Sequence, residues 1–212
     1  HARRRRAAFK KSKELRSRGE RGEWRRVSVI VSSWFRSQLY YDSGGWRATW
    51  GGEGGGVLLK QCPHNLDLFQ WICGMPTRVH AWCSLGKYHD IEVEDEVTAY
   101  LEYENGATGV FVTSTGESPG SNRLEILGDR GKVVYESGRG AASKAVQFYR
   151  NETPTSVYSK TTTKLFAPPP VWNVEIPAEG QGEQHNGILR NFIGAIIDGE
   201  PLIAPAEEGI QS

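Results

Sequence analysis

Two strand-like segments joined by Asn105-Gly106 constrain the fold of this chain more than any other feature. In residues 97–103 apolar side chains recur at every second position, which is the period of a half-buried β-strand. Asn-Gly between two such segments, here 97–103 and 107–115, is the strongest short-range signal for a β-hairpin. The sequence therefore predicts a hairpin with one apolar face (Val97, Ala99, Leu101, Tyr103) and one semi-polar face (Thr98, Tyr100, Glu102).

Further strands are predicted on both sides of this hairpin. The signals are β-branched residues and alternation of apolar and polar residues, bounded by tight turns. They predict strands at residues 24–35, 78–84, 123–127 and 132–135, and weaker ones at 146–149 and 171–176. Turn 128–131 separates the two strands that flank it. These short segments predict a wide, meandering, mainly antiparallel sheet.

Three helices accompany the strands. One begins at Pro63, which suits the first helical position, and ends at Gly74. An amphipathic helix is predicted over 183–198, with Gly199 as its cap, and a basic helix over 7–19. Runs of strands with flanking helices indicate an α+β fold, an open, mainly antiparallel mixed β-sheet with helices on one face.

Charge and hydropathy narrow the functional classes. The 212 residues carry a formal net charge of +1, which does not indicate a general polyanion-binding protein. Residues 1–26 hold nine Arg and three Lys against three Glu, but no helix-turn-helix pattern or aromatic platform accompanies this charge, so we interpret it as a solvated helix. No apolar run approaches the ~20 residues that span a bilayer. We expect no nucleic acid and no membrane as partner.

The three cysteines predict reduced thiols. Cys62, Cys73 and Cys83 are odd in number and lie in apolar contexts, which favours an intracellular, cytoplasmic protein over a disulfide framework. No Cys-x-x-Cys or His-x-x-x-His pair gives the spacing of a structural zinc site. We therefore expect no metal.

Residues 40–56 are predicted to form a long loop with a functional role. The segment is rich in Gly, Trp and Tyr and lacks periodicity, and long loops in compact domains are often functional. Neither phosphate-binding glycine motif occurs in it. Its aromatic side chains together with Arg47 suit a sugar or another polyol, although packing of Trp46 and Trp50 onto the domain explains the same pattern.

His64 is the strongest candidate for acid/base chemistry. It lies in the first turn of the helix that Pro63 begins, where the helix dipole disfavours imidazolium and leaves a neutral ring that can exchange a proton near pH 7. Asp67, one turn later, lies on the same helix face and could orient the ring. The apolar segment before Pro63 is predicted to be strand-like, which places His64 near the tip of a strand. A structural histidine is the alternative.

Five segments of the sequence resemble one known family. Residues 54–67, 93–99, 103–107, 188–192 and 199–201 are similar to the C-terminal domain of the glucose-fructose oxidoreductase and inositol dehydrogenase family (Gfo/Idh/MocA). The resemblance implies a domain whose open sheet shapes the substrate site and forms a homo-oligomer interface. It also implies an N-terminal Rossmann domain that binds NAD or NADP, whose glycine fingerprint and Glu-Lys-Pro motif are expected upstream.

The resemblance also divides the chain and assigns residues. Residues 1–25 are interpreted as a basic helical segment that follows the missing dinucleotide-binding domain, and residues 26–212 as the substrate-binding and oligomerisation domain. In the family, the histidine matched by His64 transfers protons together with an upstream lysine and an aspartate four residues before it. Lys60 stands at that aspartate's position. Either Lys60 has a polar positioning role, or His64 works with the upstream lysine alone.

Two functional hypotheses result. In the first, the chain is the substrate-binding part of an NAD(P)-dependent oxidoreductase for a sugar, cyclitol or related polyol, with His64 as acid/base. The candidate substrate-binding residues are Arg36, Tyr41, Trp46, Arg47 and Asp67. These 212 residues alone would be inactive, because the hydride chemistry belongs to the cofactor. In the second, the domain is a non-catalytic ligand-binding module or dimerises through its sheet.

Overall fold

An eight-stranded sheet with short helices makes up the part of the chain that the computed structural model describes, which is residue 13, residues 22–137, 146–176 and 184–202, and residues 205 and 207. The strands are β1 (Trp24–Val31), β2 (Arg78–Leu85), β3 (Glu94–Glu102), β4 (Thr108–Ser114), β5 (Asn122–Gly128), β6 (Gly131–Glu136), β7 (Val146–Asn151) and β8 (Val171–Ile176). The helices are α1 (Gln38–Asp42), α2 (Val57–Lys60), α3 (Pro63–Cys73), α4 (Thr155–Thr161) and α5 (Gln184–Ile197).

These strands form one open sheet in the order β2-β3-β4-β1-β5-β6-β7-β8. Strands β1 and β4 pair in parallel. The other neighbouring pairs among the described strands are antiparallel. The predicted open, mainly antiparallel mixed sheet is therefore confirmed, with β1 entering its centre between two later hairpins.

The predicted hairpin joins β3 and β4 at Asn105-Gly106. Gly106 has a φ of 77°, a left-handed conformation that glycine adopts without strain. On β3 the predicted division into two faces is confirmed: the apolar positions Val97, Ala99 and Leu101 are buried, whereas Thr98 and Tyr100 are exposed.

Helix α3 covers one face of the sheet and forms the main core with it. Its apolar side chains Leu68, Phe69 and Ile72 are buried among residues of β1, β3 and β4, and the rings of Phe69 and Phe111 are 6.1 Å apart. The opposite face is open on β2 and β3. This asymmetry positions the start of α3, which carries His64, beside one edge of the core.

The segment before Pro63 is helical, so the prediction of a strand-like run was wrong. Val57–Lys60 form the single turn α2. The Glu94 carboxylate accepts hydrogen bonds from the N–H groups of Gly56 at 2.9 Å and Leu58 at 3.2 Å, which satisfies donors that a helix start leaves unpaired. Because this cap comes from β3, more than thirty residues away in sequence, the local pattern did not reveal it.

The remaining helices were predicted to different extents. Helices α3 and α5 agree with the sequence within one residue, and Gly199 follows α5 with a φ of 67°. Helices α1 and α4, of five and seven residues, were not predicted. The predicted basic helix over 7–19 lies outside the described residues, apart from Lys13, which is helical.

We expect Gly56→Ala to destabilise the start of α2. A Cβ at this position would lie 1.9 Å from the carbonyl oxygen of Glu94, so α2 would have to move away from β3. Overpacking of this kind costs about 1–3 kcal/mol, measurable by urea denaturation. Gly45→Ala is the control, because nothing lies within 4 Å of a Cβ there. Equal losses in the two variants would contradict the prediction.

Candidate functional site

His64 occupies the second position of α3. Pro63 is the first residue, and Gly74, with a φ of 83°, ends the helix after 11 residues, as predicted. The His64 side chain is exposed. It does not lie at the tip of a strand, because the short helix α2 precedes α3. The sequence did not reveal α2 because the side chain that caps it, Glu94, lies on β3.

The start of α3 is fixed to the sheet by buried polar side chains. The Thr113 hydroxyl donates to the carbonyl of Val31 at 2.7 Å, and its oxygen lies 3.0 Å from the Cys62 thiol. The thiol is therefore the donor to Thr113. One turn after His64, the Asp67 side chain is completely buried. Its predicted actions on the histidine ring and on a substrate stay predictions.

Lys60 contacts the loop that precedes it. Its Nζ lies 3.1 Å from Oε1 of Glu53, and Oε2 of Glu53 accepts the N–H of Ala48 at 2.8 Å. The same ammonium lies 5.6 Å from the centre of the Trp46 ring. Lys60 thus ties the end of α2 to the glycine-rich loop.

Arg36, Tyr40, Arg47, Trp46 and Lys60 form what we call the cation–aromatic stack. The Cζ atoms of Arg36 and Arg47 lie 5.0 and 4.7 Å from the centre of the Tyr40 ring, within cation–π range. Arg47 also donates from Nη1 to the Tyr40 hydroxyl at 3.1 Å, and its Cζ lies 4.6 Å from the Trp46 ring centre. The structure therefore joins four candidate residues to Tyr40 in one series of contacts: Arg36 and Arg47 lie at the Tyr40 ring, Trp46 lies beside Arg47, and Lys60 lies beside Trp46.

Tyr40 is the member of the stack that the sequence reasoning missed. The sequence places Tyr40 only at the start of the predicted loop 40–56. Its spacing of four residues from Arg36 is the signal that could have identified it, because side chains at this spacing meet when the backbone turns helically. Helix α1 begins at Gln38, two residues after Arg36, and its first turn places the Tyr40 ring 5.0 Å from the Arg36 guanidinium.

Tyr41 is buried in a second, smaller core with Ala48 and Val93. Its hydroxyl donates to Oγ1 of Thr115 at 2.9 Å. Burial raises the pKa of the Tyr41 phenol, and the hydrogen bond with Thr115 offsets part of this increase. Tyr41 therefore anchors α1 as a neutral phenol, and its predicted contact with a substrate stays a prediction.

A buried histidine–aspartate pair, which the sequence reasoning also missed, holds the backbone of the stack. Nδ1 of His89 lies 3.0 Å from Oδ2 of Asp95, and their side chains are 6% and 0% exposed. Nε2 of His89 lies 2.9 Å from the carbonyl oxygen of Arg36. Asp95 also accepts the backbone N–H groups of Lys87, Tyr88 and His89. A carbonyl oxygen only accepts hydrogen bonds, so Nε2 carries a proton and donates a hydrogen bond to the carbonyl oxygen of Arg36.

Among the described residues, neither a metal-binding group nor a membrane-spanning helix is found. No three His, Cys, Asp or Glu side chains among them are grouped so that they could hold a metal ion. No helix in the described ranges has the length and apolar character needed to cross a membrane. Cys62 and Cys73 are free and buried, and Cys83 is free and exposed. The site thus offers an exposed imidazole and a cationic, aromatic surface for a polar ligand.

Comparisons with known proteins find relatives of this domain. A family model described as the GFO/IDH/MocA C-terminal domain matches residues 9–134. The WlbA dehydrogenase from Chromobacterium violaceum, solved with NADH and UDP-GlcNAcA, is similar with a TM-score of 0.74 and 26% identity, over 98% of this chain and 55% of that one. A comparison with curated proteins gave no match.

Two further solved structures share the fold at lower identity. The WlbA dehydrogenase from Bordetella pertussis, with NADH and UDP-GlcNAcA, has a TM-score of 0.72 and 24% identity, over 99% of this chain and 55% of that one. An aldose-aldose oxidoreductase from Caulobacter crescentus, with glycerol, has a TM-score of 0.73 and 21% identity, over 100% of this chain and 56% of that one. The chain therefore spans little more than half the length of these relatives.

Proposed function

The chain belongs to the GFO/IDH/MocA C-terminal domain family, and on this basis we propose that it is the substrate-binding part of an NAD(P)-dependent oxidoreductase acting on a sugar, cyclitol or related polyol. The observation that carries the proposal is the similarity, at 26% identity, to a dehydrogenase solved with NADH and UDP-GlcNAcA. Residues 1–25 are then the segment that follows the dinucleotide-binding domain of a cytoplasmic enzyme, and residues 26–212 its substrate-binding and oligomerisation domain.

The residues described here do not themselves fit a dinucleotide. Their one parallel strand pair, β1 with β4, has no glycine fingerprint after its first strand, and G-x-G-x-x-G does not occur in the 212 residues. That fingerprint is what holds the pyrophosphate in dinucleotide-binding domains. We therefore assign NAD or NADP mainly to a domain N-terminal to this chain, where it would accept the hydride from the substrate.

We assign proton transfer to His64. Oxidation of an alcohol removes the hydroxyl proton, and an exposed imidazole at the start of α3 can accept it. Its position at a helix start, where the helix dipole disfavours a positive charge, supports this assignment. Lys60 receives a positioning role, because Glu53 and Trp46 already engage its ammonium.

The open sheet face supports a homo-oligomer. Trp82 on β2 is 68% exposed, and Tyr100 on β3 is 38% exposed. The register places Trp82 opposite Thr98, on the face that α3 does not cover. Exposed aromatic side chains on a sheet mark surfaces that another protein covers. A second copy of the chain, docked through this face, is the partner that we propose.

We expect Trp82→Glu to convert the full-length oligomer to a monomer without unfolding it, because an unpaired charge in an interface core is strongly unfavourable. Size-exclusion chromatography with light scattering measures the change. Val157→Glu is the control, since Val157 is 48% exposed on α4, outside this face. A monomeric wild type, or an oligomeric Trp82→Glu variant, would contradict the proposed interface.

Turnover by the full-length protein tests the proposed activity. A panel of sugars and cyclitols is assayed with NAD and with NADP, following reduced nicotinamide by absorbance. We expect turnover of at least one polyol by the full-length protein, and neither turnover nor tight NADH binding by the 212 residues alone. A full-length protein that oxidises nothing in the panel would favour the non-catalytic ligand-binding or dimerisation module.

A further inference from the structure

Two arginines of the cation–aromatic stack have no carboxylate partner among the described residues. Arg36 and Arg47 are half-buried, and no carboxylate oxygen of the described residues lies within 4.0 Å of either guanidinium. Each Cζ lies within 5.0 Å of the same Tyr40 ring centre, so the two positive charges are close neighbours. On the sheet, by contrast, arginines pair with carboxylates: Arg25 with Asp129, and Arg26 and Arg123 with Glu125.

Three acidic side chains of the surrounding segments are engaged elsewhere. Asp42 accepts a hydrogen bond from the Gln38 amide at 2.9 Å, and Glu92 accepts the N–H of Trp50 at 3.1 Å. Glu53 pairs with Lys60, the third cation of the stack. The stack therefore holds three cations, of which only Lys60 is paired with a carboxylate of the described residues, and this leaves an excess of positive charge beside the half-buried Tyr40 ring.

The guanidinium groups also keep unused hydrogen-bonding capacity. Within the described part of the chain, the Nε atoms of Arg36 and Arg47 are buried without a hydrogen-bond partner. Nη1 of Arg36 donates only to the carbonyl of the adjacent Phe35, at 3.1 Å. Adjacent like charges and unpaired donors are unfavourable, and a bound anion would offset both. The planar fork of arginine matches the oxygens of a carboxylate or phosphate.

We propose that Arg36 and Arg47 bind an anionic group, so that the substrate of this site is a sugar that carries a carboxylate or a phosphate. Trp46, 51% exposed beside Arg47, presents an aromatic face to the sugar ring. The identity of the ligand as a substrate rests on the proposed function, whereas binding of the anion does not depend on turnover.

Binding of glucuronate, glucose 6-phosphate and glucose to the full-length protein tests this proposal. Tryptophan fluorescence and calorimetry follow the titrations. We expect at least one anionic sugar to bind about 10-fold or more tightly than glucose, and added salt to weaken that binding but not the binding of glucose. The two anionic sugars distinguish a carboxylate from a phosphate. Equal binding of all three, or no binding of either anionic sugar, would overturn the proposal.

Substitutions assign the binding to the two arginines. Arg47→Gln and Arg36→Gln are each expected to weaken binding of the anionic sugar by about 10- to 100-fold and binding of glucose by much less. Arg47→Lys keeps the positive charge but lacks the planar guanidinium, so it should weaken binding of the anionic sugar less than Arg47→Gln does. The control Arg78→Gln removes an exposed guanidinium on β2, 3.8 Å from Glu102, and should change neither affinity. Wild-type affinity for the anionic sugar in both glutamine variants would overturn the assignment.

Binding and turnover together separate this proposal from the proposed function. Preferred binding of an anionic sugar, without dinucleotide-linked turnover, supports the anion site and contradicts the oxidoreductase activity. Turnover of neutral sugars, without preferred binding of either anionic sugar, supports the activity and contradicts the anion site.

Discussion

His64→Ala in the full-length protein is expected to lower kcat by about 100-fold or more, the contribution of a positioned general base. The side chain is exposed in the first turn of α3, so its removal leaves the core of the domain intact. The KM for the sugar should change little, because the cation–aromatic stack is untouched. Steady-state assays with the best substrate from the polyol panel measure both constants.

Two comparisons distinguish proton transfer from a merely structural histidine. His64→Gln keeps a polar side chain but cannot exchange a proton, so it should be as inactive as His64→Ala. Added imidazole should restore part of the activity of His64→Ala, because the small base can enter the vacated space. Unchanged activity in His64→Ala would exclude the proton-transfer role and favour the ligand-binding module.

Local sequence signals predicted the elements whose boundaries are set locally. Asn105-Gly106 fixes its hairpin, because Gly106 adopts a φ of 77°. Pro63 fixes the start of α3, because it lacks an N–H that would be unpaired there. Gly74 fixes the end of α3, because glycine adopts a positive φ without strain. Helix α2 was mistaken for a strand because its cap, Glu94, lies on a distant strand. The parallel pairing of β1 with β4 is equally non-local, and no periodicity within either strand specifies it.

In the candidate site, too, local sequence signals revealed some residues and the fold was needed to reveal the others. The composition of the glycine- and tryptophan-rich loop pointed to Trp46 and Arg47 as candidates, and their binding of a substrate stays a prediction. Tyr40 and Glu53 emerged only from the fold, since their partners Arg36 and Lys60 reach them across turns that composition does not reveal. Tyr41 has the same residue type as Tyr40 but a buried environment, a difference that the adjacent sequence does not encode.

Asp95→Ala is expected to destabilise the domain by about 3–5 kcal/mol, because several hydrogen-bond donors lose their acceptor and each such loss costs about 1–3 kcal/mol. Asp95 is completely buried, accepts three backbone N–H groups and lies 3.0 Å from the His89 ring. Its loss leaves these partly buried donors and the buried His89 ring without their acceptor. The free energy of unfolding in urea measures the effect, which is a large part of a typical domain's stability.

Asp90→Ala is the matched control, because Asp90 lies in the same turn but is exposed and should change stability by no more than about 0.5 kcal/mol. The double variant His89→Ala/Asp95→Ala should lose less stability than the sum of the two single variants, since the pair acts as a unit. Because Nε2 of His89 donates to the carbonyl of Arg36, His89→Ala should also weaken ligand binding at the cation–aromatic stack. Additive losses, with ligand binding unchanged, would show that the pair neither acts as a unit nor positions Arg36.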